Sequence, residues 1–253
     1  MTPEPDLAGK VAVITGGGAG IGRAFAEAVA TRGGHVAILD IDPATATVAA
    51  DELHAHGGQA IAVPCDVGDE PSCAAAIDEV VRELGRIDVL VNNAAKHLMA
   101  WNVPILQLDD KRWRSLVDVN VHGIVNVTRH ARPWLARQGG VVVSISSVVG
   151  FESSNAYAFT KHAVRGLTVA FAVELASEGI RAFAIAPGPM DTQAAKVELP
   201  ADILDSYIND KQLIKRQGTP ADLVGAFLFF CSDAASFMTG ETVSIGGGFP
   251  LRP

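Results

Sequence analysis

The most constraining feature of this sequence is a regular alternation of short apolar runs with longer segments of helical periodicity. Short apolar runs that end at glycine or turn residues are typical of strands buried on both faces. The predicted strands cover residues 11–15, 35–40, 60–66, 89–93, 141–146, 181–187 and 241–245. The predicted helices cover residues 21–33, 43–57, 70–84, 112–137, 157–178 and 220–231. This alternation predicts an α/β fold of right-handed βαβ units, with a parallel sheet covered by helices on both faces.

The domain organisation follows from the absence of a linker, repeat or low-complexity tract in the sequence. We predict one domain over residues 1–253, with a flexible N-terminal tail over residues 1–8. Ligands of such sheets bind at the carboxyl ends of the strands, near the point where strand order reverses. Residues 188–219 are the least regular part of the chain and are a candidate lid over that site.

Composition excludes several classes of function. The net charge of −8 argues against nonspecific binding to nucleic acid or to an anionic membrane. The sequence has no apolar stretch of the ~18–20 residues that a membrane span needs. Its N-terminus lacks the basic start and apolar run of a signal peptide, so we expect a cytoplasmic protein. Three cysteines without CxxC spacing indicate neither a disulfide framework nor a zinc site, and no metal is expected.

A glycine-rich loop, "TGGGAGIG", connects the first predicted strand to the first predicted helix. Glycines permit a tight turn and let a phosphate approach the backbone, and a helix N-terminus supplies N–H donors. The spacing of Gly16, Gly20 and Gly22 is G-x3-G-x-G and differs from the general G-x-G-x-x-G fingerprint. A plain tight turn is the alternative, but the position between strand and helix favours a dinucleotide site.

An acidic residue, Asp40, ends the second predicted strand, 18 residues after Gly22. An acid about 20 residues past the glycines typically binds the adenosine ribose hydroxyls. Its carboxylate repels a 2′-phosphate, and neither the glycine loop nor position 41 carries a Lys or Arg to offset it. The sequence therefore favours NAD over NADP. The alternative is that Asp40 only caps the turn at Asp42–Pro43.

Six motifs occur in one order along the chain: "TGGGAGIG", "NNAA" (Asn92–Ala95), Asn120, "SISS" (Ser144–Ser147), "YAFTK" (Tyr157–Lys161) and "APGPMDT" (Ala186–Thr192). As an ordered set, they resemble the classical short-chain dehydrogenase/reductase family from about Gly9 to Gly248. The resemblance implies a single Rossmann-like doubly wound domain with a seven-stranded parallel sheet. It also implies hydride transfer with a nicotinamide cofactor and, usually, a homotetramer.

The resemblance assigns candidate site residues position by position. Its catalytic tetrad would be Asn120, Ser147, Tyr157 and Lys161. The candidate cofactor-binding residues are Gly16, Gly18, Gly20, Ile21, Gly22, Asp40, Ile41, Asp66, Val67, Asn93, Tyr157, Lys161, Pro187, Gly188, Met190 and Thr192. Some have simpler alternatives, because Asn92 and Asn93 could satisfy buried backbone groups and Thr192 could be a helix cap.

Tyr157 and Lys161 are four residues apart, so they share one face of a helix. A tyrosine pKa of ~10 is too high for a base at neutral pH, and a nearby ammonium would lower it. We therefore expect Lys161 to lower the pKa of Tyr157 and to bind the nicotinamide ribose. Tyr157 would exchange the proton of the substrate, Ser147 would bind the substrate oxygen, and Asn120 would support a water path for protons.

Two segments depart from the family pattern. Ser147 and Tyr157 are only 10 positions apart, fewer than usual, which puts the pocket and the role of Ser147 in doubt and leaves Ser146 as a neighbouring candidate. The segment after "NNAA" looks longer than usual. Its Trp101, Pro104 and Leu106 could form an apolar wall over the substrate or pack on a neighbouring subunit.

The predicted function is that of an NAD-dependent oxidoreductase acting on a secondary alcohol or ketone, with a small-molecule substrate of moderate hydrophobicity. A cofactor-sensing binding protein that has lost its chemistry is the first alternative, because fold alone does not fix function. An epimerase or dehydratase of the same fold is the second alternative.

Overall fold

The predicted parallel sheet forms in the computed structural model, which describes residues 7–55, 59–97, 100–152, 154–198 and 200–251. Within these residues all seven strands are parallel and lie in the order β3-β2-β1-β4-β5-β6-β7. The strands are β1 Val11–Thr15, β2 His35–Asp40, β3 Gln59–Pro64, β4 Val89–Asn92, β5 Val141–Ile145, β6 Arg181–Pro187 and β7 Glu241–Ile245. The order reverses between β1 and β4, which is where a ligand is expected.

Helices cover both faces of this sheet and bury an apolar core on each. One core packs Phe25 against Phe227, whose ring centroids are 4.5 Å apart. The other includes Ile77 and Val127. Every residue of β1, β4 and β5 is buried, as central strands covered on both faces require.

Each of the six predicted helical segments contains at least one helix, and the described residues form nine α-helices in all. They are α1 Gly20–Ala30, α2 Pro43–Ala55, α3 Glu70–Leu84, α4 Asp110–Val117, α5 Gly123–Leu135, α6 Ala156–Leu175, α7 Gln193–Glu198, α8 Ala201–Ser206 and α9 Ala221–Cys231. The one long helix predicted over 112–137 is instead α4 and α5, joined by a π-helical turn over Asp118–His122. π-helical turns of this kind are often found at functional sites.

Two other predicted segments can be compared with the structure. The candidate lid over 188–219 contains α7, α8 and a π-helical turn over Tyr207–Lys211. Of the tail predicted over residues 1–8, Leu7 is 1% exposed in the core and its carbonyl accepts a hydrogen bond from the Lys10 amide. Residues 1–6 of that prediction lie outside the described residues.

No helix within the described part of the chain is long and apolar enough to cross a membrane.

Candidate functional site

A cleft of about 570 Å³ opens at the carboxyl ends of the strands, where the order reverses. One end of the cleft is formed by the glycine loop and the ends of β2 and β3. The other end surrounds Tyr157, and we call it the substrate lobe. Besides Tyr157 and Ser147, the substrate lobe is lined by Lys96, Asn102, Val148, Val149, Ile203 and Tyr207.

Most of the predicted site residues meet in this cleft. They are Gly16, Gly20, Ile21, Asp40, Ile41, Asp66, Val67, Asn93, Ser147, Tyr157, Lys161, Pro187, Gly188, Met190 and Thr192. Three predicted residues, Gly18, Gly22 and Asn120, do not line it. They lie directly behind its wall, where each contacts a residue that does line the cleft.

The glycine loop is shaped by backbone conformation and by close packing. Gly16 and Gly20 have φ of 61° and 55°, in the left-handed region that favours glycine. A Cβ on Gly22 would lie 2.3 Å from the Gly16 carbonyl oxygen, so only glycine lets α1 start this close to the loop. Gly18 donates its amide to Asp40 Oδ2 at 3.2 Å. This hydrogen bond connects the glycine loop to the end of β2.

Asp40 forms the turn contact that was its simpler alternative, and its position in the cleft is compatible with the predicted ribose contact. Its Oδ1 accepts the amide of Asp42 at 3.1 Å, so the simpler role of turn cap is real. Its carboxylate is nonetheless only half-buried and lines the cleft beside the glycine loop. A carboxylate has about four lone-pair sites, so these two backbone contacts leave acceptor capacity for a ribose hydroxyl.

The simpler alternatives for Asn93 and Thr192 describe real contacts, whereas Asn92 bonds a side chain and not the backbone. Asn93 Nδ2 donates to the carbonyls of Thr15 and Gly16 at 3.0 and 2.9 Å, and thereby fixes the glycine loop. Asn92 Nδ2 donates to a threonine hydroxyl at 3.1 Å. Thr192 Oγ1 accepts an amide at 3.2 Å from the first turn of α7. Asn93 and Thr192 line the cleft as well, so a structural contact does not exclude cofactor binding.

The remaining nucleotide-end residues are held by turns after the strands. Asp66 Oδ1 accepts the Gly68 amide at 2.9 Å, which fixes the turn that follows β3. Val67 is buried beside it. On the opposite side, the Gly188 amide donates to the Ile245 carbonyl at 2.9 Å, and this contact holds the end of β6 against β7.

Tyr157 and Lys161 lie on the first turns of α6 and both face the cleft. Asn155 caps this helix, because its Oδ1 accepts the Ala158 amide at 2.9 Å. The Lys161 ammonium donates to the Ile145 carbonyl at 2.7 Å and lies 5.7 Å from the Tyr157 ring centroid. The side chain of Lys161 is almost completely buried.

The expectation that Lys161 lowers the pKa of Tyr157 is wrong in this structure. Burial raises the pKa of Tyr157, and the only opposing contribution is a hydrogen bond with Ser147. Burial also lowers the pKa of Lys161 to about 8, because the ammonium is removed from water. The Lys161 ammonium donates to the Ile145 carbonyl and lies beside the Tyr157 ring.

The short segment between β5 and α6 keeps Ser147 in the cleft. It forms a 3₁₀ turn over Val148–Phe151, which packs so closely on α6 that a Cβ on Gly150 would lie 2.8 Å from the Lys161 carbonyl. The neighbouring candidate, Ser146, is buried and donates to that same carbonyl at 2.7 Å. Ser147 is therefore the serine available to a substrate.

Asn120 does not line the cleft, but it hydrogen-bonds both Lys96 and the first turns of α6. Its Oδ1 accepts the Lys96 amide at 2.8 Å and its Nδ2 donates to the Lys96 carbonyl at 2.9 Å. Nδ2 also donates to Thr160 Oγ1 at 3.0 Å, and Thr160 donates to the Tyr157 carbonyl at 2.8 Å. The π-helical turn directs Asn120 inward, where it is 1% exposed.

The segment after "NNAA" does not form the expected apolar wall within the described cleft lining. Leu106 is 98% exposed, and Trp101 is covered by cations at 5.2 Å (Lys96) and 5.3 Å (Arg112). The carbonyls of Trp101 and Val103 instead accept amides of the first turn of α6, at 3.2 and 3.0 Å. This segment therefore anchors the helix that carries Tyr157.

Sequence reasoning missed several cleft residues. Tyr207 lines the substrate lobe from the lid and packs edge-on against Phe249, with ring centroids 5.6 Å apart. Lys96 directly follows the "NNAA" motif and also lines this lobe. The position next to a strand-end motif was the available signal for Lys96, whereas nothing local in the sequence marks Tyr207.

The fold and the cleft together define a nucleotide-binding oxidoreductase of the doubly wound class. Comparison with known proteins identifies its family. A family profile described as "Enoyl-(Acyl carrier protein) reductase" matches residues 16–250. The chain belongs to the classical short-chain dehydrogenase/reductase family and is an oxidoreductase of that family.

Three similar proteins illustrate the family. An uncharacterised oxidoreductase of Mycobacterium tuberculosis is 40% identical over 96% of this chain and 98% of its own length. The cis-4-hydroxycyclohexanecarboxylate dehydrogenase of Sinomonas cyclohexanicum is 37% identical over 96% of this chain and 97% of its own. The crystal structure of a 7α-hydroxysteroid dehydrogenase with NADH and 7-oxo glycochenodeoxycholic acid superposes with a TM-score of 0.91, at 32% identity and 98% coverage of both chains.

The nucleotide end of the cleft fits a nicotinamide dinucleotide. No described side chain caps the start of α1, so its first N–H groups remain available for a pyrophosphate. A Cβ on Gly20 would lie 3.5 Å from Thr192 Cγ2, and both residues line the cleft. The Asp40 carboxylate lies at the far end, as a ribose partner would.

Proposed function

We propose that the protein is an NAD-dependent dehydrogenase/reductase that acts on a secondary alcohol or the corresponding ketone, as a single domain built on this sheet. The observation that carries the proposal is that Tyr157, Ser147 and Lys161 converge in the same cleft as the glycine loop and Asp40. When bound, the nicotinamide supplies the hydride acceptor or donor. The chain itself binds, orients and handles the proton.

The proton is assigned to Tyr157. Because burial raises its pKa, the phenol is protonated at neutral pH and is ready to donate a proton to a carbonyl oxygen. In the oxidation direction Tyr157 first releases its proton to solvent, and the resulting phenolate accepts the proton of the alcohol. Ser147, which already hydrogen-bonds Tyr157, is assigned to binding the same substrate oxygen.

Lys161 and Asn120 are assigned to holding this arrangement. The Lys161 ammonium has three donors and uses one on the Ile145 carbonyl, which leaves donors for a ribose hydroxyl. Asn120 fixes the backbone of Lys96 and, through Thr160, the first turn of α6. We infer that it also supports the water path that returns protons to solvent.

Asp40 is proposed as the residue that selects NAD. Asp40→Ala is expected to change the ratio of kcat/KM for NADP to that for NAD by about 10–100-fold in favour of NADP, the effect of losing hydrogen bonds to a charged group. The repulsion of a 2′-phosphate is lost at the same time. Steady-state kinetics with both cofactors measure the ratio.

The matched control for Asp40 is Asp42→Ala. Asp42 is a neighbouring carboxylate that caps α2 through Ala44 and Thr45 and does not line the cleft. Asp42→Ala is expected to leave the cofactor ratio unchanged. An unchanged ratio in Asp40→Ala would refute the role of Asp40.

The substrate is proposed to be an apolar, ring-containing secondary alcohol or its ketone. The side chains of Val148, Val149 and Ile203 give the substrate lobe apolar walls. Two of the similar proteins are dehydrogenases of a hydroxysteroid and of a hydroxycyclohexanecarboxylate. NADH formation from NAD across a panel of steroids, cyclic hydroxy acids, diols and sugars tests the proposal. A binding protein without chemistry would bind NADH and turn over none of them.

The protein is also proposed to be a homotetramer, because α6 exposes apolar side chains that a partner helix would cover. Val169 and Val173 are 53% and 76% exposed. Val173→Asp is expected to shift the sedimentation of the protein toward smaller species, because the charge would be buried at the contact. Val48→Asp, at a valine of α2 that is 58% exposed, is the control and is expected to leave the mass unchanged. A wild-type monomer at micromolar concentration would contradict the proposal.

A further inference from the structure

The cleft is lined by a lysine, Lys96, that the proposed mechanism does not use. Lys96 lies at the end of β4, and its side chain is half-buried along the cleft. Both of its main-chain polar groups are bonded to Asn120, so the base of the side chain is held in a fixed position.

The contacts of Lys96 leave its positive charge without an acidic partner among the described residues. Its Nζ donates to Ser115 Oγ, a neutral hydroxyl, and lies 5.2 Å from the centroid of Trp101. The guanidinium carbon of Arg112 lies 5.3 Å from the centroid of the same ring. The ammonium has three donors, so further donors remain for a ligand.

The distribution of charge along the cleft is uneven. The two acidic side chains among its described lining residues, Asp40 and Asp66, both lie at the nucleotide end. The cations of the lining nearer Tyr157 are Lys96 and Lys161, on a chain whose net charge is −8. A cation kept on an acidic protein at this place favours a negatively charged ligand.

We propose that Lys96 determines specificity by binding the carboxylate of an apolar hydroxy acid or keto acid, whose ring or chain fills the remainder of the lobe. This inference rests on the proposed function and narrows its substrate class. The apolar walls at Val149 and Ile203 bind the body of the molecule, and Tyr157 and Ser147 bind its hydroxyl or carbonyl oxygen. Lys96 then fixes which end of the molecule faces the nicotinamide side.

Calorimetric titration of the NADH-saturated protein tests this without turnover. The probes are cyclohexanecarboxylate and its neutral amide, cyclohexanecarboxamide, which have the same shape. The wild-type protein is expected to bind the carboxylate about 10-fold or more tightly than the amide, the effect of one charge-assisted hydrogen bond. Lys96→Met keeps the apolar stem and is expected to abolish this preference, while Lys96→Arg retains it.

Glu152→Gln is the matched control. Glu152 is an exposed carboxylate. Burial raises the pKa of Tyr207, and the negative charge of Glu152 raises it further. Glu152 is therefore close enough to act electrostatically on the same lobe. Removing its charge is expected not to weaken the carboxylate probe. No preference in the wild-type protein, or a preference that survives in Lys96→Met, would overturn the assignment. If NADH does not bind, the proposed function fails, and the same titration on the protein alone still tests Lys96.

Discussion

Tyr157→Phe is expected to reduce turnover by roughly 10²–10⁴-fold, the usual contribution of a positioned general acid or base. The substitution removes only the hydroxyl, and the phenyl ring still fills the start of α6. We therefore expect the dissociation constant of NADH to change little. Stopped-flow or steady-state rates with an alcohol from the panel, together with NADH titration by fluorescence, measure the two effects separately.

Tyr207→Phe is the matched control for this experiment, because Tyr207 is the only other tyrosine of the chain and lines the same lobe. It is expected to retain turnover within a small factor. The raised pKa of Tyr157 also predicts that alcohol oxidation by the wild-type protein accelerates as pH rises above neutral, because the phenolate becomes more populated. Near wild-type turnover in Tyr157→Phe would refute the mechanism.

Lys161→Met is expected to reduce turnover at least ~10²-fold, because it removes a positioned group that holds both cofactor and phenol. Its effect on stability is predicted to depend on pH. Between about 8 and the ordinary value of 10.5 for the pKa of a lysine, the unfolded chain binds a proton that the folded chain lacks. The free energy of unfolding of the wild-type protein therefore rises with pH through this window.

The difference in unfolding free energy between wild type and Lys161→Met is expected to rise by about 3 kcal/mol from pH 8 to pH 10.5. Urea unfolding at several pH values measures it. Lys111→Met, which removes an exposed lysine of α4, is the control and is expected to give a flat difference. A flat difference for Lys161→Met would show that burial does not disfavour its charge.

Much of the fold was predictable because strands and helices are encoded by local patterns. Seven apolar runs became seven parallel strands, and Asn155 and Gly85 mark helix ends as their residue types indicate. The π-helical turn over Asp118–His122 was not predictable, because its sequence is compatible with an ordinary α-helix. The structure of the 188–219 segment was missed for a related reason: its helices are short and their apolar spacing is weak.

The candidate site shows the same division. The glycine loop, Asp40, Tyr157 and Lys161 were identified from the sequence because each belongs to a local motif at a predicted strand or helix end. The direction in which the pKa of Tyr157 shifts was not predicted from the sequence, because it depends on burial and on which acceptor the Lys161 ammonium reaches. That acceptor, the Ile145 carbonyl, comes from a strand 16 residues earlier in the chain.

The sequence by itself determined the class of fold, the family and the residues of the Tyr–Lys motif, because these depend on periodicity and on residues close together in the chain. Only the tertiary structure decided that the Ser146 hydroxyl donates to the Lys161 carbonyl, that Asn120 hydrogen-bonds Lys96 and Thr160, and that Lys96 and Tyr207 line the same cleft. These facts depend on which distant segments pack together and on which side chains become buried. The spacing of residues close together in the chain predicts neither.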